Sequence, residues 1–283
     1  MNTYKLLFAG IFLFLLLACM GCQDDGVTTD RNYQLVWSDD FEGTAGQSPD
    51  AGKWIFENGV DWGNAQLEFT TDRPENASLD GEGNLAIIAR SENYGGRAFT
   101  SARISTRGKF SQTYGRFEAR IKMPYGPGLW PAFWMIGESC IPQTFDNGVC
   151  CNGYDGWPNC GEIDIVEMRG QAPMVAHGSA HGPGYSGGNP VSKSFSYPDN
   201  RFDKDFHIYA VEWGEGFIDY FVDDNLYQRI TPEDVSGEWV YDQPFFIVLN
   251  LAVGGNYVGF PTADTQFPQT MLVDYVKVYR EQL

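Results

Sequence analysis

Along much of this chain, apolar and polar residues alternate with a period of two. Phe117, Ala119, Ile121 and Met123 are interleaved with Glu118, Arg120 and Lys122, which predicts a strand with one buried face. Residues 207–213 and 217–222 flank a short turn and predict a hairpin. Residues 272–279 alternate again. Phe245–Val253 is instead a nearly continuous apolar run, the pattern of a strand buried on both faces. No window of useful length repeats apolar residues at i, i+3, i+4 and i+7, so helices are not expected. Glycine (33) and proline (15) punctuate the strands. Many short strands, with no internal repeat and no linker inside the body, predict an all-β fold. The expected form is one antiparallel β-sandwich, a jelly roll.

One short segment departs from this pattern. Glu162-Ile163-Asp164-Ile165-Val166-Glu167 places three carboxylates in an otherwise apolar strand. Charges there are costly unless they are used or well paired. Glu162 and Asp164 share one face, and Glu167 is out of phase with them. One inserted residue, a β-bulge, restores the phase and puts all three on one face. Glycoside hydrolysis needs two carboxyl groups at a set separation, a nucleophile and a general acid/base. The plain alternative is a strand whose acids face solvent.

Composition narrows the partners. Hydrophobic content of 43% and aromatic content of 15% suffice for a sizeable core in 283 residues. A net charge of −18 without a basic patch argues against nucleic acid. It also disfavours a strongly anionic polysaccharide, unless the cleft is locally basic.

The N-terminus has the pattern of a targeting segment. Lys5 precedes an apolar run over residues 6–17, too short to span a bilayer comfortably but suited to a secretory signal. Leu16-Leu17-Ala18-Cys19 resembles a bacterial lipobox, with Cys19 as the lipidated residue and Cys22 as the second candidate. The expected organisation is a lipoprotein signal peptide over 1–18, a polar tether over 19–32 and a catalytic domain over 33–283. The chain would then be an exported lipoprotein of the cell envelope or surface, held to a membrane by its lipid. Export permits disulfides. Cys140, Cys150, Cys151 and Cys160 all lie just before the acidic strand. Two disulfides are expected among them, with connectivity open. Their spacing does not suit paired zinc knuckles.

Gly126-Pro127-Gly128-Leu129-Trp130-Pro131-Ala132-Phe133-Trp134-Met135 carries two tryptophans four apart, and Trp157 lies between Gly156 and Pro158. Indole rings bind the apolar C–H faces of sugars. Trp130, Trp134 and Trp157 are therefore candidate sugar platforms, with core packing as the alternative.

With these motifs in order, the chain resembles glycoside hydrolase family 16, and within it the bacterial laminarinases (endo-β-1,3-glucanases). The resemblance runs from about residue 33 to 281. It includes Leu35-Val36-Trp37-Ser38-Asp39-Asp40-Phe41-Glu42-Gly43, Tyr114-Gly115-Arg116-Phe117-Glu118-Ala119-Arg120-Ile121-Lys122 and the tryptophan segment. It continues through Gly161 to Glu167, His177 to Gly187, Asn250-Leu251-Ala252-Val253-Gly254-Gly255 and Met271 to Val276. The resemblance implies a jelly roll with an open substrate cleft and a retaining mechanism. Glu162 matches the nucleophile, Glu167 the acid/base and Asp164 the assisting carboxylate between them. His181 and Asn250 match substrate-binding positions, while His177 and His207 read as structural. No cofactor is implied for catalysis. Glu42, Gly43, Gly83 and Asp274 match a structural calcium site on the convex face, where oxygen ligands suit the ion.

The Glu-x-Asp-x-x-Glu spacing resembles laminarinases, agarases and carrageenases, whereas lichenases resemble Glu-x-Asp-x-Glu. The chain departs from the family in a longer loop over 139–159. It also departs in Asn256-Tyr257-Val258-Gly259-Phe260-Pro261, where relatives more often show Trp-Pro-Gly. The implied activity is endo-hydrolysis of β-1,3-glucan by a monomer, with mixed-linkage β-1,3-1,4-glucan as a second substrate. An agarase-like galactanase is one alternative. The other is a non-catalytic glucan-binding protein, whose relatives lack the glutamates present here.

Overall fold

Seventeen strands and no helix make up residues 31–140 and 156–282, which the computed structural model describes. In chain order they are β1 (Tyr33–Asp39), β2 (Ile55–Phe56), β3 (Glu68–Thr70), β4 (Ala77–Leu79), β5 (Leu85–Tyr94), β6 (Arg97–Ser101), β7 (Arg103–Ser105), β8 (Gly115–Lys122) and β9 (Leu129–Gly137). After these come β10 (Glu162–Met168), β11 (Val175–His181), β12 (Val191–Ser196), β13 (His207–Gly214), β14 (Phe217–Val222), β15 (Asn225–Ile230), β16 (Phe245–Val253) and β17 (Gln269–Glu281). A ten-stranded sheet runs β15-β14-β13-β8-β17-β5-β6-β3, with β1 on β17 and β4 on β5. A seven-stranded sheet runs β12-β11-β10-β9-β16-β7-β2. All pairings are antiparallel except β3 with β6. This is the expected sandwich.

The period-two pattern sets the core. Phe117, Ala119 and Ile121 of β8 are fully buried against Ile163, Ile165 and Val166 of β10 and the inner residues of β16, in one cluster between the sheets. Each large apolar side chain buried this way contributes about 1.5–3 kcal/mol. The predicted hairpin is β13 with β14, in register from Tyr209↔Val222 to Gly214↔Phe217. β17 starts earlier and ends later than its alternation suggests. Its first half pairs with β5 and its second with β1, so backbone pairing carries it through polar ends.

All nine residues of β16 are buried, for a reason that also corrects the cysteine expectation. Its inner face joins the main core. Its outer face joins a second cluster of Ala132, Trp134, Ile136, Cys140, Cys160, Phe246 and Val248. Cys160 is fully buried in that cluster and is a free thiol, while Cys140 is disulfide-bonded. Two disulfides among the four body cysteines would need Cys160, which the structure leaves unpaired. Cys160 acts as a small apolar residue, and burial pushes its thiol up to about 12. The segment expected to be a signal peptide, Cys19, Cys22, nearly all of the expected tether, Cys150 and Cys151 lie outside the described residues.

Candidate active site

The bulge expected in the acidic strand is present. Against β11, the register runs Glu162↔His181 and Asp164↔Ser179, then shifts before Glu167↔His177. Against β9, the shift falls between Asp164 and Val166. Ile165 and Val166 both turn into the core, each 1% exposed. Two consecutive inward residues restore the phase, and Glu162, Asp164 and Glu167 line one cleft of about 260 Å³.

Crowding governs the charges in this cleft. Asp164 is 3% exposed. Burial, then the charges of Glu162 and Glu167, raise its carboxyl well above the ordinary range, against the pull of His181. Burial raises Glu167 to about 7. A hydrogen bond from Trp130 opposes this shift, and the charge of Glu162 adds to it. Trp130 Nε1 donates to Glu167 Oε1 at 2.8 Å. His181 Nε2 lies 3.0 Å from Asp164 Oδ2 and 3.9 Å from Glu162 Oε1. The first contact is an ion pair, with no donor aimed squarely at Oδ2. Burial disfavours a charged His181, but the carboxylates outweigh it and raise the imidazole to about 9. These shifts share one cause. Removing any proton leaves bare charges crowded in a poorly solvated cleft, so the cluster keeps its protons to higher pH than separate groups would.

Glu162, Asp164 and His181 also form the one trio among the described residues whose possible metal-ligating atoms lie within 4.8 Å of one another. Their contacts are those of a proton-sharing cluster.

The candidate sugar-binding residues divide. Trp130, Trp134, Trp157 and Asn250 all line the cleft. Trp157 is 37% exposed and offers an open ring. Trp134 is only 9% exposed. Its Nε1 donates to Asn250 Oδ1 at 2.8 Å, and the Arg103 guanidinium covers its ring at 4.7 Å. It thus supports Asn250 and Arg103 more than it offers a free face. Tyr257, at the position of departure from the family, packs on Trp130 at 5.1 Å and supplies an aromatic there. His177, expected to be structural, stands opposite Glu167 with its ring 5.9 Å from Tyr257. His207 lies away from the cleft, 2.6 Å from Asp223.

Trp62, Gly63, Asn64, Gln66 and Arg103 line the cleft as well, and they were not among the residues expected from sequence. Arg103 lies over both Trp62 and Trp134, each at 4.7 Å, and its Nε donates to Glu57 Oε2. One signal was available: Trp62 is flanked by Asp61 and Gly63, much as Trp157 is set among glycine and proline.

Of the residues expected to hold calcium, Glu42 and Gly83 are neighbours. A Cβ on Gly83 would lie 3.6 Å from Glu42 Oε1. Asp274 Oδ2 is 2.6 Å from Arg120 Nη1. Carboxylates and backbone carbonyls suit a hard cation in kind, although Arg120 occupies one oxygen of Asp274.

Comparison with known proteins agrees with this geometry. The chain is 43% identical to the β-glucanase of Rhodothermus marinus, over 94% of this chain and 93% of that protein. The laminarinase catalytic domain of Thermotoga maritima superposes with a TM-score of 0.80 at 41% identity, covering 89% of this chain and all of that one. The endo-β-1,3-glucanase of Pyrococcus furiosus gives a TM-score of 0.79 at 40% identity, over 89% of this chain and 96% of that one. The sequence pattern of Glycosyl hydrolases family 16 matches residues 54–277, and the chain belongs to that family.

Proposed function

We propose that the chain is a retaining endo-β-1,3-glucanase. The observation that carries this reading is the bulged strand β10, which gathers Glu162, Asp164 and Glu167 in one cleft with Glu167 raised to about 7. Glu162 attacks the anomeric carbon while Glu167 donates a proton to the departing glycosidic oxygen. Asp164, with His181 beside it, holds a proton near Glu162. Glu167, now a carboxylate, then takes a proton from water as that water displaces Glu162 from the sugar. Two displacements retain the β configuration. Relatives named as laminarinases or endo-β-1,3-glucanases, at 40–41% identity over 89% of the chain, support the substrate class.

The test is reducing-sugar release from laminarin, mixed-linkage glucan and agarose, with product sizes. Laminarin should be cut internally to a ladder of oligosaccharides, and mixed-linkage glucan more slowly. Cleavage of agarose with none of laminarin would overturn the reading.

We also propose that Glu42, with backbone carbonyls of Gly43 and Gly83 and the remaining Asp274 oxygen, holds a structural calcium ion. Binding to the folded state alone raises the melting temperature. Millimolar calcium should therefore raise Tm relative to chelator, with kcat unchanged. An identical Tm in both would reject the site.

A further inference from the structure

Strand β16 outruns its neighbour. Toward its end it pairs with β7 as far as Asn250↔Arg103, and Leu251 N still donates to Ala102 O at 3.4 Å. The chain before β7 then belongs to β6, which pairs with β3 and β5. Val253 lies one alternation beyond Leu251, so its N–H and C=O face the same edge with no strand to meet them. Two other groups take that place. Leu67 N donates to Val253 O at 2.8 Å, and Val253 N donates to Glu68 Oε2 at 2.8 Å. Glu68 is 2% exposed and has no part in the chemistry above. A buried N–H needs an acceptor, and here a side-chain carboxylate substitutes for a strand.

The turn after Val253 carries this substitution to the active site. Gly254 N donates to Gly128 O and Asn256 N to Asn64 O, both at 2.7 Å. A Cβ on Gly255 would lie 3.1 Å from the Trp130 ring, so the backbone there presses on the indole. Tyr257 packs on the same indole. The turn over 254–257 is therefore the wall against which Trp130 rests, and Trp130 Nε1 holds Glu167 Oε1. We infer that Glu68 is a positioning residue: it fastens the end of β16 to the 59–67 loop and so keeps Trp130 in its hydrogen bond to Glu167. This rests on Glu167 being the acid/base.

Burial raises Glu68 to about 7, so both of its protonation states are present near neutral pH. Either state, and equally an amide, offers an oxygen to Val253 N–H. The charged group facing Glu68 is Arg103. The charged and titratable groups facing Glu167 are Glu162 and Asp164 on its own strand, His181, Arg169 and Tyr257, with His177 opposite. An N–H donated to a carboxylate lowers its pKa, so loss of the Trp130 bond makes Glu167 keep its proton to higher pH.

The experiment measures kcat/KM on laminarin against pH for wild type, E68Q, E68L, W130F and E68L/W130F. E68Q should match wild type. E68L should lose at least about tenfold in kcat/KM and move the alkaline limb upward, a shift that lost stability alone would not produce. W130F should move the limb the same way, and should add little to it in the E68L background, because the two changes remove one interaction. An unmoved limb in E68L, damage in E68Q equal to that in E68L, or full additivity of the double variant would each overturn the proposal. If E68L does not fold, E68D replaces it, since its shorter side chain withdraws the oxygen from Val253. Normal activity in E167Q would instead overturn the acid/base assignment itself.

Discussion

Glu162→Gln is expected to abolish turnover in a protein that still folds and still binds glucan. The amide keeps the shape of the carboxylate but cannot attack the anomeric carbon. We expect kcat to fall by at least about 10³-fold, the order seen when an essential catalytic group is lost. Folding should survive because the Glu162 side chain is 19% exposed and its ion-pair contact with His181 is long, at 3.9 Å. The charge of Glu162 also raises both Asp164 and Glu167. Its removal relieves that crowding, so both neighbours should titrate at lower pH in the variant. The measurements are reducing-sugar release, Tm and calorimetric binding of laminari-oligosaccharides. Near-normal rates on every glucan would refute the assignment of Glu162.

The chemistry of β10 was legible because its signal is local. Three acids in an apolar strand, one of them out of phase by a single residue, demand a bulge, and the register shift between Asp164 and Glu167 supplies it. The strand period likewise marked β8, the β13–β14 hairpin and β16. Contacts made by topology left no such trace. Arg103 reaches the cleft because β7 lies beside β16, and Trp62 reaches it because the following loop folds against Val253. Neither is dictated by near neighbours in the chain. Cys160 misled for a related reason. Four cysteines close together suggest pairing, but pairing depends on where each thiol points. Cys160 points into the cluster on the outer face of β16. The long apolar run of β16 announced burial on both faces without saying what covers the second.

Glu167→Ala should lose most of its activity on laminarin and regain it with azide on an aryl glucoside with a good leaving group. Wild-type kcat/KM should fall as pH rises through about 7, because Glu167 titrates there and must carry a proton to protonate the leaving oxygen. Without the carboxyl group that alkaline limb should disappear. The loss on laminarin should be about 10²–10⁴-fold, the usual contribution of a general acid. A leaving group that departs as a stable phenolate needs no proton, so Glu162 still forms the glycosyl-enzyme. That intermediate is α-linked, since the first displacement inverts the centre, and it persists because no base activates water. Azide is nucleophilic without a base and is small enough for the space vacated beside Trp130. It attacks the β face, breaks the bond to Glu162 and releases a β-glycosyl azide. The product is identified by NMR from the coupling at its anomeric proton. An α-azide would sink the retaining mechanism. No rescue, with normal aryl glucoside hydrolysis in the variant, would remove Glu167 from the acid/base role.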